Sequence, residues 1–395
     1  MFSRYPSPTG LDLNFKKRLV TPGPTPVPEQ IMSATARPMI HHRSPEFEEL
    51  FRRVNENLCY LFQTKQNVIT LCSSGTGAME AAVANLLSPG DEVLYVNGGK
   101  FGERWGEICR SYRANAVELQ VEWGESVAPE KIAEHLRARS DTKAVFVTHS
   151  ETSTGAAIDI KEIARVVREN SNAVLVADGI ASVGVMELRM DDWGIDVVVT
   201  GSQKGLMIPP GLTFIALSER AWRFVEDSSL PRYYFDLRRA REALIGNRTP
   251  WTPAVSLIVG LDLALRMIRD EGIERVWMRH EVLGCAIREG CRALGLKLVA
   301  RCASNALTAV WIPHLVEAKR FFATLKSGMG ITLAGGQGQL MGKIFRISHL
   351  GYFDLLDAIS IVSAVETALR ASGWTCEPGA GVRAAQTVLN EKSLL

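Results

Sequence analysis

The sequence predicts an α/β protein, with a mostly parallel sheet in a large domain and a smaller α/β domain after it. From about residue 60 to 220, short runs rich in β-branched residues alternate with helical patterns. This alternation is typical of a parallel sheet covered by helices on both faces. The pattern changes after a proline-containing segment at residues 249–253, and the chain of 395 residues exceeds what one hydrophobic core usually organises. Two domains are therefore expected.

Six runs in the first part of the chain are predicted strands. They are NVITLC (67–72), DEVLYV (91–96), KAVFVTH (143–149), AVLVAD (173–178), DVVVTG (196–201) and LTFIALS (212–218). Between the first two, Met79, Val83 and Leu86 recur on one helix face, and Ser88-Pro89-Gly90 ends that helix. In parallel sheets of this kind ligands bind outside the carboxyl ends of the strands. Polar residues at those ends are therefore candidate site residues.

The remaining chain predicts the smaller α/β domain. Helical patterns cover about residues 254–294, and the runs ALTAVWI (306–312) and KIFRISH (343–349) are predicted strands around a helix and a Gly-rich turn. The prolines at 250 and 253 cannot continue a helix or donate to a strand ladder, so the boundary is placed there. The predicted units are an N-terminal arm at 1–20, a large domain at 21–253, a small C-terminal domain at 254–375 and an extension at 376–395.

Composition excludes several classes of function. Lys and Arg (45) nearly balance Asp and Glu (43), so no nucleic-acid partner is indicated. No apolar run reaches the length of about 18 residues that a membrane span needs. The seven cysteines are odd in number and lack paired metal-ligand spacing. We therefore expect a cytoplasmic protein without a membrane partner or a metal site.

A candidate phosphate cradle, Ser73-Ser74-Gly75-Thr76-Gly77, lies between a predicted strand and the helix that follows it. Free backbone N–H groups and the helix dipole favour an anion at such a helix start. The alternative is a Gly-rich turn that is needed only for steric reasons. Glu80 stands where a dinucleotide fingerprint requires glycine, which disfavours a nicotinamide-dependent dehydrogenase, and no Walker loop is present.

Two charged residues follow later strands of the same predicted sheet. Asp178 ends the run AVLVAD, and Lys204 follows DVVVTG in a segment of small and apolar residues. Alone, Asp178 is equally explained as a helix N-cap and Lys204 as a surface lysine. A lysine in apolar surroundings loses its proton more easily, and Schiff-base chemistry requires the neutral amine. Cradle, aspartate and lysine on one sheet edge together indicate a catalytic site.

These residues, together with Thr148-His149-Ser150-Glu151-Thr152-Ser153-Thr154-Gly155 and Ser202-Gln203-Lys204, resemble the class V aminotransferases of pyridoxal-phosphate (PLP) fold type I. Within that family the alanine/serine–glyoxylate aminotransferases are most similar. The resemblance extends from Thr21 to the final predicted helix. It implies a mostly parallel sheet of the seven-stranded type in a large PLP-binding domain, a smaller C-terminal domain, and a homodimer with shared active sites.

The resemblance also implies which residues hold the cofactor phosphate. Ser74, Gly75 and Thr76 correspond to the family's phosphate-binding residues, and Gln203 assists them. Thr252 corresponds to the residue that reaches the neighbouring subunit's phosphate across the dimer interface. The two prolines near it leave the register open, so that Thr249 is the alternative.

Five further residues are implied to act on the cofactor ring and the substrate. Phe101 stacks on the pyridine ring, with a core phenylalanine as the alternative, and Thr152 contacts the phenolic oxygen. Asp178 pairs with the pyridine nitrogen, keeps it protonated and thereby strengthens the electron sink. Lys204 carries the cofactor as a Schiff base. Arg346 binds the substrate carboxylate, a bidentate task that suits arginine, although a solvent-exposed sheet-edge arginine is the alternative.

The activity that the resemblance implies is a ping-pong transamination, in which Lys204 moves the substrate proton. The donor would be a small amino acid, alanine or serine, and the acceptor glyoxylate or pyruvate, since Arg346 is the one obvious carboxylate anchor. Two alternatives stay open. One is a PLP enzyme of the same fold with another reaction, such as a phosphonate aminotransferase, decarboxylase or lyase. The other is a non-catalytic hydrogenase-associated subunit.

Overall fold

The structure is a computed structural model that describes residues 16–392. Its strands, in chain order, are β1 (Arg18–Val20), β2 (Val68–Ser73), β3 (Glu92–Asn97), β4 (Asn115–Gln120), β5 (Ala144–Thr148), β6 (Ser150–Glu151), β7 (Ala156–Ala157), β8 (Val174–Asp178), β9 (Val197–Gly201), β10 (Gly211–Leu217), β11 (Leu307–Trp311), β12 (Ile331–Gly335) and β13 (Ile344–Ser348). Most of the predicted N-terminal arm lies outside the described residues.

The helices are α1 (Glu29–Thr35), α2 (Pro45–Phe62), α3 (Gly75–Leu86), α4 (Lys100–Ser111), α5 (Pro129–Ala138), α6 (Ile160–Asn170), α7 (Met190–Trp193), α8 (Glu219–Asp227), α9 (Leu237–Leu244), α10 (Val255–Glu271), α11 (Ile273–Ala293), α12 (Ala318–Ala323), α13 (Leu355–Ala371) and α14 (Ala380–Glu391). A π-helical turn, Thr324–Gly328, follows α12, and a 3-10 turn, Gly338–Leu340, precedes β13.

The larger sheet has seven strands in the order β2-β10-β9-β8-β5-β3-β4. Its neighbours from β9 to β4 pair in parallel, and β10 is antiparallel to both β9 and β2. The prediction of an α/β fold with a mostly parallel sheet is confirmed. Six of the seven strands coincide with the predicted runs, and β4 was missed. Since β4 is a partly exposed edge strand with polar residues on both faces, its sequence lacks the apolar run of its neighbours.

This topology gathers the carboxyl ends of six strands at one edge. Since β10 is antiparallel to both of its neighbours, β2 runs parallel to β9, and its end at Ser73 lies at the same edge as the ends of β8 and β9. The register pairs Thr148 at the end of β5 directly with Asp178 at the end of β8. The segments that leave these strands therefore start side by side, as the sequence predicted for the candidate site.

A second sheet, β1-β12-β13-β11, lies in the C-terminal part together with β1 from the other end of the chain. β1 pairs in parallel with β12, and β13 pairs antiparallel with both β12 and β11. Residues 18–20, which the sequence assigned to the arm, thus belong to this sheet. Strand β13 is central, which places Arg346 in the interior of the smaller layer rather than at its edge.

Two separate apolar cores support the two sheets. The first runs from Ile31 to Trp277, and the second combines Val20 with side chains from Val282 to Leu389. Helix α14, in the predicted C-terminal extension, packs on α11 and buries Ala385 in the second core. The exact domain boundaries stay a prediction. Across residues 16–392, every helix is too short or too polar to cross a bilayer.

Candidate active site

The candidate cradle lies at the start of α3, immediately after β2. Ser74 is the N-cap residue, but its side chain makes no capping hydrogen bond. At the starts of α2 and α8, by contrast, Ser44 and Ser218 do accept a bond from a first-turn N–H group. Since Ser74 is exposed toward solvent and does not cap its own helix, the first N–H groups of α3 remain available to an anion.

The glycines of the cradle are also sterically required. A Cβ atom at Gly75 would lie 2.6 Å from the Ile180 side chain, and one at Gly77 would lie 1.8 Å from Ser73 Oγ. The steric reason for the Gly-rich turn is therefore real. This steric requirement is compatible with anion binding, because close packing and exposed N–H groups occur at the same helix start.

Gln203 and Thr76 border the same space. A Cβ atom at Gly201 would lie 3.2 Å from Gln203 Oε1 and 3.3 Å from Gly75 N, which places that side chain beside the helix start. Gln203 Oε1 is buried without a hydrogen-bond partner among residues 16–392. Thr76 Oγ1 accepts a 3.1 Å hydrogen bond from Arg104. The sequence motifs did not point to this arginine, which introduces a positive charge next to the cradle.

Asp178 is buried at the end of β8, with 3% of its surface exposed. Its Oδ1 accepts a 2.8 Å hydrogen bond from Ile180 N and so stabilises the turn that follows, but no helix begins there, so the N-cap alternative is wrong. Burial raises the pKa of this carboxyl to about 7, against the opposing effects of that hydrogen bond and of the Lys204 and Arg104 charges. A cationic partner at Asp178 would therefore strengthen its ionised form.

Lys204 is buried in the loop between β9 and β10. Its Nζ donates a hydrogen bond to the carbonyl oxygen of Pro22, and its own carbonyl oxygen accepts one from Thr25 Oγ1. Burial lowers the pKa of the amine to about 8, with the Asp178 carboxylate opposing the shift. A useful fraction of the amine is thus neutral near physiological pH, which Schiff-base formation requires. Both features contradict the surface-lysine alternative.

Phe101 lies half-buried in the first turn of α4, where a carboxylate that the sequence reasoning missed holds the backbone. Glu151 Oε2 accepts hydrogen bonds from Phe101 N and Gly102 N, both at 3.0 Å. Its Oε1 accepts from Ser153 N at 3.0 Å and Ser153 Oγ at 2.6 Å. Glu151 thus ties the Phe101 turn to the segment that carries Thr152. An acid inside a run of small polar residues was the only sequence signal for it.

Arg346 is buried in the middle of β13, with 7% of its surface exposed, which rules out the solvent-exposed alternative. Its Nε donates to Gly335 O and one terminal nitrogen donates to Thr152 O, both at 2.8 Å. Burial lowers its pKa to about 10, while the Glu151 charge acts in the opposite direction, so the group stays cationic at neutral pH. Arg346 therefore brings a positive charge from the second sheet to the edge of the first.

Thr252 lies elsewhere. It is exposed and lines a surface cavity of about 660 Å³ with Met39, His41 and His42. The alternative residue, Thr249, is buried and donates to Trp251 O at 2.7 Å. Neither threonine joins the cluster around Lys204 within this chain. Among residues 16–392, no group of His, Cys, Asp or Glu side chains has an arrangement that could hold a metal ion.

Comparison with known proteins identifies the class and then the family. A family model described as aminotransferase class-V matches residues 24–348, most of the chain. With the α/β fold and the buried lysine–aspartate edge already described, the match makes this protein a PLP-dependent transaminase. More particularly, the chain belongs to the class V aminotransferase family, as its sequence suggested.

Individual relatives are similar along almost their whole lengths. A soluble hydrogenase small subunit of Synechococcus sp. is 43% identical, covering 95% of this chain and 99% of the relative. An L-aspartate–glyoxylate aminotransferase of Paracoccus denitrificans is 37% identical (92% and 94%), and a serine–glyoxylate aminotransferase of Methylorubrum extorquens is 35% identical (96% and 97%). Among solved structures, ureidoglycine–glyoxylate aminotransferase of Bacillus subtilis superposes with a TM-score of 0.89 at 29% identity, covering 96% of this chain and 100% of that one.

Proposed function

We propose that this protein transfers the amino group of a small amino acid, alanine or serine, to a small 2-oxo acid, glyoxylate or pyruvate. The two half-reactions would share one site in a ping-pong sequence. The observation that carries the proposal is a buried, partly neutral Lys204 amine whose pKa responds to the charges of a buried carboxylate, Asp178, and a buried cation, Arg346. Amine, acid and carboxylate anchor are the protein groups that transamination needs.

The site fits PLP. The uncapped start of α3 and Thr76 offer donors to a phosphate, and Gln203 beside them can present its Nε2 amide group as a further donor when its unpartnered amide is turned over. The half-buried Phe101 offers an aromatic face. Bound there, the cofactor supplies an electron sink that stabilises the carbanion left when the substrate Cα proton is removed. Its attachment point would be Lys204 Nζ, the buried amine with a pKa of about 8.

The chain's own groups would then divide the work. Arg346 binds the substrate carboxylate and so orients the Cα–H bond toward Lys204 Nζ. The neutral Lys204 amine would accept the Cα proton of the donor amino acid in the first half-reaction, and in the second it would deliver a proton to the Cα atom of the product amino acid. Asp178 would pair its carboxylate with the pyridine nitrogen, because a cation there would favour the carboxylate over the acid. Glu151 keeps the turn of Phe101 and the segment of Thr152 at a constant separation.

The substrate assignment is supported by the relatives' names and by the charges of the site. The aspartate–glyoxylate, serine–glyoxylate and ureidoglycine–glyoxylate enzymes share glyoxylate in their names. Arg346 supplies one carboxylate anchor, which suits a donor with a single carboxylate. Aspartate is the rival donor, because a relative of comparable identity is named for it.

A half-reaction screen tests the function. Purified protein loaded with PLP is mixed with one amino acid at a time, and loss of the visible band of lysine-bound cofactor is timed. We expect rapid loss with alanine or serine and recovery of the band with glyoxylate or pyruvate. Lys204→Ala should show no such band, whereas Lys65→Ala, which removes an exposed lysine, should behave as the native protein does. Protein that takes up no PLP would refute the proposal.

A second candidate function follows from the relative named as a hydrogenase small subunit. In that case the protein would act as a partner subunit without catalysis. Three buried ionisable groups, Lys204, Asp178 and Arg346, argue against it, because burying charge costs folding free energy that a purely structural subunit has no reason to retain. Colourless protein that copurifies with a hydrogenase would favour this candidate.

The homodimer is part of the proposal. The face that carries the exposed Thr252 also exposes Tyr233 and Tyr234, whose rings stack with Trp251. Contiguous exposed aromatic surface of this kind is typical of protein interfaces. A second copy of the chain on this face would bring Thr252 toward a neighbouring cradle. Sedimentation analysis measures whether the protein is a dimer.

A further inference from the structure

The cradle assigned from the sequence contains hydrogen-bond donors but no cation. A phosphate monoester carries about −1.5 to −2 charges at pH 7. A helix N-terminus offers the equivalent of about +0.5 charge. Ser74, Gly75, Thr76 and Gln203 add only neutral groups, so roughly one negative charge or more would stay uncompensated in a half-buried site. A phosphate bound there needs a positively charged side chain.

We propose that Arg104 is that cation and binds the cofactor phosphate directly. Its guanidinium extends from α4 and donates a 3.1 Å hydrogen bond to Thr76 Oγ1, a hydroxyl of the cradle itself. Its Cζ atom lies 4.8 Å from the centroid of the Phe101 ring. Arg104 thus lies between Thr76 of the cradle and Phe101, the side chain that would stack on the cofactor ring. The inference rests on the proposed function, since it presupposes that the cradle binds PLP.

The partners of the neighbouring cations support this assignment. On the same helix, Lys100 pairs with the carboxylate of Glu103, and Arg110 donates to the Tyr95 hydroxyl, which in turn bonds Glu118. Within residues 16–392, the Arg104 guanidinium hydrogen-bonds only to the neutral hydroxyl of Thr76, lies near the Phe101 ring and forms no ion pair, and the charge of the Asp178 carboxylate acts on it only at longer range. A half-buried guanidinium without a directly paired anion is costly unless a ligand supplies one.

The two arginines of the site would have different ligands. Arg346 is held by the carbonyl oxygens of Gly335 and Thr152, at the side of the second sheet. Arg104 is held by the cradle, at the start of α3. A planar guanidinium can bind two phosphate oxygens at once, which lysine cannot do in the same geometry. Arg346 would therefore serve the substrate carboxylate and Arg104 the cofactor phosphate.

The test compares two cofactor forms on two variants of the same helix. Arg104→Gln removes the proposed cation, and Arg110→Gln removes an exposed arginine from α4 as the matched control. Apparent Kd values are measured by fluorescence titration of apo protein with PLP and with pyridoxal, which has the same ring and aldehyde but no phosphate. We expect R104Q to weaken PLP binding by about 10- to 100-fold, the effect of a charge-assisted bond. Pyridoxal binding should stay unchanged, and R110Q should bind both as the native protein does.

A second readout uses inorganic phosphate alone. It should raise the melting temperature of native apo protein more than that of R104Q. Arg104→Lys, which keeps the charge, should bind PLP more tightly than R104Q and less tightly than the native protein. Should R104Q not fold, Arg104→Met, a second neutral variant, takes its place in the same titrations, and equal PLP affinity in R104M and the native protein would overturn the assignment.

Further outcomes separate the two proposals. If R104Q binds PLP as tightly as the native protein, or loses PLP and pyridoxal equally, the assignment of Arg104 is wrong. If R104Q keeps its PLP affinity but loses activity with aspartate alone, Arg104 binds a substrate's second carboxylate and the assignment is likewise wrong. Native protein that takes up no PLP would overturn the proposed function itself, and this inference with it.

Discussion

Replacing Glu151 by glutamine should loosen the link between the Phe101 turn and the Thr152 segment without changing the volume of the side chain. In the native protein each carboxylate oxygen accepts two bonds, one oxygen from Phe101 N and Gly102 N, the other from Ser153. A glutamine amide has one accepting oxygen, so its NH2 group must face two donors on one side. With the NH2 group toward Phe101 and Gly102, both of their bonds are lost; toward Ser153, the hydroxyl can turn to accept and only the bond from Ser153 N is lost. At least one hydrogen bond is therefore lost, and the remaining bonds lose the charge of their acceptor.

The magnitude follows from the number and kind of these bonds. A hydrogen bond to a charged acceptor contributes about 1.5–3 kcal/mol and one between neutral groups about 0.5–1.5 kcal/mol, so one lost bond and three weakened bonds amount to about 3 kcal/mol of unfolding free energy. Glu151 is 4% exposed, so water cannot replace the lost acceptor. For a domain of about 150–250 residues, 1 kcal/mol corresponds to roughly 2–4 °C in melting temperature. Glu151→Gln should therefore melt about 6–12 °C lower.

The assay is thermal unfolding of apo protein, followed by PLP titration at a temperature where both proteins are folded. Glu162→Gln is the matched control, because Glu162 also accepts several bonds but lies on the surface at Arg165; it should change the melting temperature little. Weaker PLP binding by Glu151→Gln should accompany its lower stability. A melting temperature within about 2 °C of the native value would refute this role of Glu151.

Three further predictions concern the site and the interface. Lys204→Met should raise the unfolding free energy of apo protein by about 3 kcal/mol at pH 7, because the pKa of Lys204 is about 8 in the folded state and near 10.5 in the unfolded chain. The stability of the native protein therefore rises with pH between these two pKa values, and the stabilisation by Lys204→Met should vanish above them. An equal stabilisation at pH 7 and at about pH 10.5 would contradict a buried amine. Arg346→Lys should raise the KM for donor and acceptor by about 10-fold or more while PLP affinity stays unchanged, because lysine cannot form the two parallel hydrogen bonds of a guanidinium with a carboxylate. Unchanged KM values would show that Arg346 does not bind the substrate. If Thr252 serves the partner subunit's site, a mixed dimer of one Lys204→Ala chain and one Thr252→Val chain contains one site with both native residues. Such mixed dimers should regain PLP affinity at that site, and PLP titration of the mixture and of each variant alone measures this.

The strand predictions succeeded where burial is complete on both faces. The run DVVVTG became β9, whose residues are all buried, because an uninterrupted run of β-branched residues strongly favours a strand covered on both sides. Strand β4 failed the same criterion, because an edge strand leaves much of its surface to solvent and its sequence resembles a polar loop. The pairing of β1 with β12 joins residues about 310 positions apart, and no local pattern encodes so distant a partner.

The residues of the candidate site divide in the same way, into those that a local pattern predicts and those that depend on distant contacts. Ser74, Asp178 and Lys204 could be found because each ends or closely follows a predicted strand, and parallel strands end at a common edge. Glu151 and Arg104 could not, because their importance depends on contacts with Phe101 and Thr76 across 50 and 28 positions. Arg346 was named by resemblance, and only its central strand distinguishes it from a surface arginine.

By itself, the sequence determined the fold class, because hydrophobic periodicity is a local property, and the family, through the resemblance of its motifs. It also predicted the sheet edge at which a ligand would bind, from the residues at the strand ends. The tertiary structure alone decided the electrostatic state of the site. Burial moves the pKa of Lys204 to about 8 and that of Asp178 to about 7, and no composition or spacing contains that information. Desolvation depends on what surrounds a charge in three dimensions, and packing brings those surroundings from distant parts of the chain.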